Sequence, residues 1–232
     1  MTSAQTSAAA CIPLAPASLI GGSSESLLLI AEMTHRISNE YALAIASISL
    51  AAARSASLEV RTALGEAAGR LHDFAEAHRA LQAPISSGIV DLSDYLQRLC
   101  GALVRASLAE RGIRLTFVET SVELDTDRCW RVGLIVSELI TNAVRHGLGG
   151  RKGEIWVGLT VKDDRVQCRV ADSGQAERAP RPGRGSRIVD ALAAELGGQV
   201  ERQFTTSGTT VLLSFPRDQD AAPPVAERSQ RL

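Results

Sequence analysis

The sequence predicts an α+β protein: a long helical hairpin at the N-terminal side, followed by an α/β sandwich. Three observations predict this. Two long blocks repeat apolar residues at spacings of three and four, with only Arg54-Ser55-Ala56-Ser57 between them. Beyond residue 90 the pattern switches between helical spacing and strict alternation. Ala and Leu dominate while aromatic residues make up only 3 %, a composition that leans towards helix.

The first block runs from Leu27 to about Ala53, with Ile30, Met33, Ile37, Tyr41, Ala44, Ile48 and Ala51 along one seam. The second runs from Leu58 to Leu81, through Val60, Leu64, Ala67, Leu71, Phe74, His78 and Leu81, with Ser57 placed to cap it. A short connection makes the two helices antiparallel neighbours. Each has a narrow apolar seam that one partner helix cannot fully cover, so two copies forming a four-helix bundle would bury both. Ala83 to Val90 reads as a linker. Asp91 can cap a helix that runs through Glu110 and ends at Gly112. Ile113–Val118 alternates as a strand, and Thr126 to about His146 is helical. Glu154–Val161 and Arg165–Ala171 are strands joined at Asp163-Asp164. Ser186–Leu196 is a helix closed by Gly197-Gly198, and Val200–Phe204 with Thr209–Phe215 form a hairpin around Ser207-Gly208. Residues 1–24 and 217–232 have the composition of tails, leaving 25–216 as the folded part, divided into 25–84 and 90–216.

Composition excludes several functions. A net charge of −1 and few aromatics argue against nucleic acid as a partner. No apolar run reaches the roughly 18 residues of a membrane span. No Lys or Arg precedes Arg36, so a secretory signal is not expected and the chain is read as cytoplasmic. The four cysteines, Cys11, Cys100, Cys129 and Cys168, form no C-x-x-C pair and suit reduced thiols.

Two constellations carry chemistry. At about 100° per residue, His35 points roughly 160° from the seam of the first helix, with Glu32, Ser38, Asn39 and Ala42 within about 60° of it. A neutral imidazole is a nucleophile, and it attacks best when an acceptor such as Glu32 holds the proton on its other nitrogen. Asn39, one turn on, can orient a phosphoryl oxygen. An ordinary solvated histidine would show the same spacing. His78 falls on the seam, and His72 reads as exposed.

The second constellation is Ser137 to Gly147, S-E-L-I-T-N-A-V-R-H-G, which puts Glu138, Asn142 and His146 on one stripe. A carboxylate beside an amide oxygen suits Mg²⁺, which takes its remaining ligands from water and phosphates. Arg145 adds a cation at the same end. Next come Asp172-Ser173-Gly174 at a strand end, then Gly183-Arg184-Gly185-Ser186 before a helix, where backbone N–H groups can meet phosphate. An Asp at such a strand end, followed by a Gly that permits close approach, can accept from an exocyclic base amine. Each piece alone is also an ordinary turn or helix face; their order is the informative feature.

In that order the motifs resemble those of histidine kinases. E-M-T-H-R-I-S-N at 32–39 is similar to the phosphoacceptor box of the HWE-related group, in which Arg follows the histidine and Asn lies four residues beyond it. L-H-D-F-A-E-A-H-R-A-L at 71–81 resembles that group's second bundle helix. S-E-L-I-T-N-A-V-R-H-G resembles its N box, while D-S-G, G-R-G-S and S-G-T-T resemble its three glycine boxes. The resemblance implies a dimerising phosphotransfer bundle and a Bergerat-type ATPase domain that uses ATP and Mg²⁺. It implies that His35 takes the phosphoryl group and passes it to an aspartate of a response-regulator receiver domain. By the same resemblance Asn142 binds Mg²⁺, Glu138 supports the metal or its water, and Asp172 contacts adenine. Gly174, Gly183 and Gly185 shape the pocket, Thr209 lines its adenine end, and Arg145 and His146 stand at its phosphate side. No sensor domain is expected before the bundle, so input would come from a partner or from the short tail.

The chain departs from the pattern at Ala176, where the first glycine box has Gly. It departs again in a short, proline-bearing loop from Gln175 to Pro182, and at Arg184 and Ser186, where apolar residues are usual. These departures leave open a histidine phosphotransferase that relays phosphate between receiver domains without ATP. A similar N box also occurs in anti-sigma-type serine kinases.

Overall fold

A computed structural model describes residues 24–82, 88–175 and 183–218, with side chains from residue 36 onward and excepting Arg184. The expected tails and the 175–182 loop fall largely outside these ranges.

Helices α1 (Ser24–Arg54) and α2 (Leu58–Ala80) form the hairpin. Ser57 caps α2 by accepting from the Val60 N–H at 3.3 Å. Seam residues Ile37, Tyr41, Ala44 and Ile48 on α1, and Leu64, Leu71 and Phe74 on α2, are only half-buried within one chain. His78 sits on the seam as expected, edge-on to Tyr41 with ring centres 5.9 Å apart, and His72 is exposed. Ser38, expected on the open face around His35, instead accepts from Gln82 Nε2 at 2.7 Å and is half-buried. Gln82, just past the end of α2, covers that flank.

The expected linker through Val90 is shorter than predicted. Ile89–Asp91 is a strand, β1, paired antiparallel with β3 (Glu123–Asp125). Asp91 caps α3 (Leu92–Leu103) through the Ser93 N–H at 2.7 Å. The helix expected to run unbroken through Glu110 instead loosens into a wide turn at Val104–Leu108 and tightens at Ala109–Arg111. Gly112, at φ 64°, ends it in the left-handed region that glycine adopts without strain.

Strand β2 (Ile113–Val118) follows, then α4 (Thr126–Asn142), capped by Asp125. Strands β4 (Gly153–Lys162) and β5 (Arg165–Asp172) turn at Asp163 and Asp164, both at positive φ, as a two-residue hairpin requires. Helix α5 (Arg184–Glu195) begins two residues earlier than expected. Strands β6 (Gln199–Thr205) and β7 (Gly208–Pro216) close the chain. The main sheet runs β2-β4-β5-β7-β6, with β2 and β4 parallel and the rest antiparallel. One face carries α3, α4 and α5 over a core that includes Leu96, Ile135, Ile155, Leu159, Val189 and Phe215. The architecture is therefore the expected α+β one, a helical hairpin and then an α/β sandwich.

Two side chains of the sandwich hold the end of α2. Tyr95 Oη donates to the Ala80 carbonyl at 2.9 Å, and Trp130 Nε1 donates to the Leu81 carbonyl at 3.0 Å. These carbonyls lack partners within their own helix, so the sandwich supplies the C-cap of the hairpin. Cys100, Cys129 and Cys168 are free and buried, and burial pushes each thiol up to about 12. At neutral pH they are protonated packing groups rather than nucleophiles. Among the described residues, no helix is long and apolar enough to cross a membrane.

Candidate functional site

The last residues of β5 bring Asp172 into the interior, where it is 6 % exposed. Its Oδ1 accepts from the Gly174 N–H at 2.8 Å and the Thr209 N–H at 3.4 Å. Oδ2 has no hydrogen-bond partner among the described residues. The carboxylate is hemmed in by backbone. A Cβ on Gly147 would fall 2.6 Å from Oδ2, and one on Gly174 would fall 2.0 Å from the Gly147 oxygen. A Cβ on Gly208, at φ 139°, would fall 1.9 Å from the Asp172 carbonyl oxygen. Three glycines from three separate segments thus let the backbone close around one carboxylate. Ser173 fixes the approach, donating its N–H to the Glu154 carbonyl at 3.0 Å and accepting the Glu154 N–H on its Oγ at 2.9 Å.

Glu138 lies on α4 one turn before Asn142, and the two side chains are hydrogen-bonded. Burial pushes the Glu138 carboxyl above the usual carboxylate range, opposed by the Asn142 bond and the Arg145 charge. After Asn142 the helix widens over Ala143–Gly147 and closes with the Leu148 N–H on the Ala143 carbonyl at 2.7 Å. That wide turn delivers Gly147 to Asp172. Arg145 and His146 are exposed beside it. Gly183 is exposed at the N-cap of α5. Gly185, in the first turn, lies against Glu138, where a Cβ would fall 1.8 Å from Oε1.

The structure thus brings together Asp172, Gly174 and Thr209 in one group, and Glu138, Asn142 and Gly185 in another, with Gly147 joining α4 to Asp172. Glu32, His35 and Asn39 lie on α1; Asn39 is exposed, and the side chains of Glu32 and His35 are outside the described residues. Gly147 and Gly208 were not singled out from the sequence as site residues. Their signal was present at the ends of two motifs, but only the folded chain shows what each glycine approaches.

The donor set fits a nucleotide and its metal. Glu138 and Asn142 offer hard oxygens, and among the described residues no cluster of three or more His, Cys, Asp or Glu could hold a metal ion. Such a pair suits a cation completed by water and phosphate. The buried Asp172 carboxylate, closed in by glycine backbone, suits a flat heterocycle bearing an amine.

Comparison with known proteins agrees with this arrangement. The family model described as "Histidine kinase" matches residues 32–107, and that described as "Histidine kinase-like ATPase domain" matches residues 102–215. The sensor histidine kinase PdtaS of Mycobacterium tuberculosis is 28% identical over 200 residues, covering 81% of this chain and 39% of the relative. Blue-light-activated histidine kinase 2 of Erythrobacter litoralis is 26% identical over 215 residues, covering 87% and 60%. The chain therefore spans between about two fifths and three fifths of the length of these relatives. Among solved structures, the histidine kinase domain of the Erythrobacter litoralis EL346 blue-light activated histidine kinase superposes with a TM-score of 0.53 at 23% identity, covering 77% of this chain and 95% of that one. With one model reaching from the box around His35 into α3, and the other continuing through β7, the chain belongs to the histidine kinase family.

Proposed function

We propose that this chain is an ATP-dependent protein histidine kinase that phosphorylates His35 and passes the phosphoryl group to an aspartate on a response-regulator receiver domain. The observation that carries the reading is Asp172: a buried carboxylate with one oxygen held by two backbone N–H groups and the other uncommitted. Oδ2 would accept the exocyclic amine of adenine, while the Gly174 and Thr209 N–H groups keep the carboxylate aligned. Asn142 and Glu138 would hold Mg²⁺, and Arg145 would face the phosphates. ATP, when bound, supplies an electrophilic γ-phosphorus and a stable leaving group. On α1, Glu32 would take a hydrogen bond from one imidazole nitrogen of His35 so that the other attacks, and Asn39 would orient the incoming group. The hairpin, residues 25–84, would dimerise through its half-covered seams, and residues 90–216 would form the ATPase domain. A chain of this kind would act in the cytoplasm.

Incubation with γ-labelled ATP and Mg²⁺ tests the reading. Acid-labile, base-stable label that disappears in His35→Ala is expected. No label, or label that survives His35→Ala, would reject it.

A second reading is a histidine phosphotransferase that takes its phosphoryl group from a receiver domain. The contact that favours it is Gly185 on Glu138, which sets the first turn of α5 against the carboxylate proposed for the metal. Calorimetric titration separates the two readings, since micromolar Mg-ATP binding would sink the relay. The helical hairpin speaks against an anti-sigma-type serine kinase.

A further inference from the structure

Away from Asp172, α2 and α3 meet in a cleft of about 420 Å³. Its walls are built by helical spacing. Glu76 and Arg79 stand one turn apart on α2. Arg98 and Gly101 on α3 and Arg105 in the wide turn after it follow at spacings of three and four, a backbone rise of roughly 10 Å from first to last. Tyr95 lines the inner end, where its hydroxyl is spent on the Ala80 carbonyl.

The charges are unbalanced. Arg79 pairs with Glu76, and Arg105 lies 3.6 Å from Asp73 in a loose, half-exposed pair. Arg98 makes no ion pair among the described residues. With Asp73 counted beside Glu76, three guanidinium groups face two carboxylates, and the excess positive charge is that of Arg98. Gly101 leaves the floor low: a Cβ there would meet only Arg105 Nη1, at 3.5 Å.

We propose that this cleft is an anion site for a compact phosphate-bearing ligand, pyrophosphate or a nucleoside monophosphate, gripped by Arg79, Arg98 and Arg105. Planar guanidinium forks match phosphate oxygens two at a time, which lysines do not. The volume lies in the range of small-ligand pockets, roughly 300–1,000 Å³. The site is independent of the nucleotide pocket, because none of its lining residues belongs to the Asp172 or Glu138 groups. Its occupant would touch both lobes where the sandwich caps α2.

Isothermal titration at physiological salt tests this, with pyrophosphate and GMP as probes on the full chain and three variants. Binding of at least one probe is expected, retained in Asn142→Ala and weakened at least tenfold in Arg98→Gln with Arg105→Gln. Gly101→Leu should fill the floor and abolish binding while raising the melting temperature, since leucine is the better helix former. That opposite pair of effects separates a blocked site from a damaged fold. Tighter binding of GMP than of pyrophosphate points to a nucleotide, and the reverse to a free phosphate anion. No binding of either probe, binding unchanged by the arginine and Gly101 variants, or binding lost in Asn142→Ala would overturn the proposal.

Discussion

Glu138 holds its carboxylate where burial works against ionisation. Its folded pKa is raised, so ionised Glu138 opposes folding above that pKa. As pH falls through the folded and then the unfolded value, the penalty disappears. Glu138→Gln keeps the shape and the contact with Asn142 but removes the charge. It should melt higher than the wild type at pH 8, with the advantage fading towards pH 4, while labelled-ATP turnover falls by a hundredfold or more. Thermal unfolding across that range checks the first claim, and a stability difference independent of pH would count against it. Gly147 is the complementary case. Gly147→Ala drives a methyl into the Asp172 carboxylate and should cost about 1–3 kcal/mol by urea unfolding, together with Mg-ATP affinity. Asp172 and Glu138 were legible from residue type and motif order. Gly147 was not, because its neighbour lies on another strand and sequence spacing cannot show that approach.

Among the elements, the two hairpin helices were the most legible, since their seams repeat over many turns. Strands β1 and β3 were not, at three residues each without room for alternation. The wide turns after α3 and α4 were also missed, since helical spacing in the sequence does not reveal an added residue. Helix α2 ends on carbonyls satisfied by Tyr95 and Trp130, so its last turn depends on the sandwich. Tyr95→Phe leaves the Ala80 carbonyl without that donor and should cost about 1 kcal/mol. Hydrogen exchange should show faster opening confined to the C-terminal end of α2 and the facing turns of α3. Uniform acceleration across the sheet would show that the bond instead supports the whole fold.

For the molecule as a whole, the hairpin leaves apolar surface that one chain cannot cover. Leu43 and Leu50, seven residues apart on α1, are 69 % and 51 % exposed. Residues so exposed contribute little to one chain, so Leu43→Glu with Leu50→Glu should leave its folded spectrum intact. If the proposed bundle of two copies forms, light scattering should report a dimer for the wild type and a monomer for the variant; an unchanged mass would show that these positions lie outside the interface. The far end of the chain is tied down differently. Arg128 on α4, 4 % exposed, lies over the Phe215 ring and donates to the carbonyls of Pro216 and Arg217. A single side chain in the first turn of α4 thus holds the end of the last strand by its carbonyls. A protein ended at Phe215 would keep every strand pairing of β6 yet take both carbonyl acceptors from a buried guanidinium, at a cost of about 1–3 kcal/mol. The backbone just past the last strand is therefore part of what the interior is built on, and a chain stopped after Phe215 should melt lower than one that keeps Arg217.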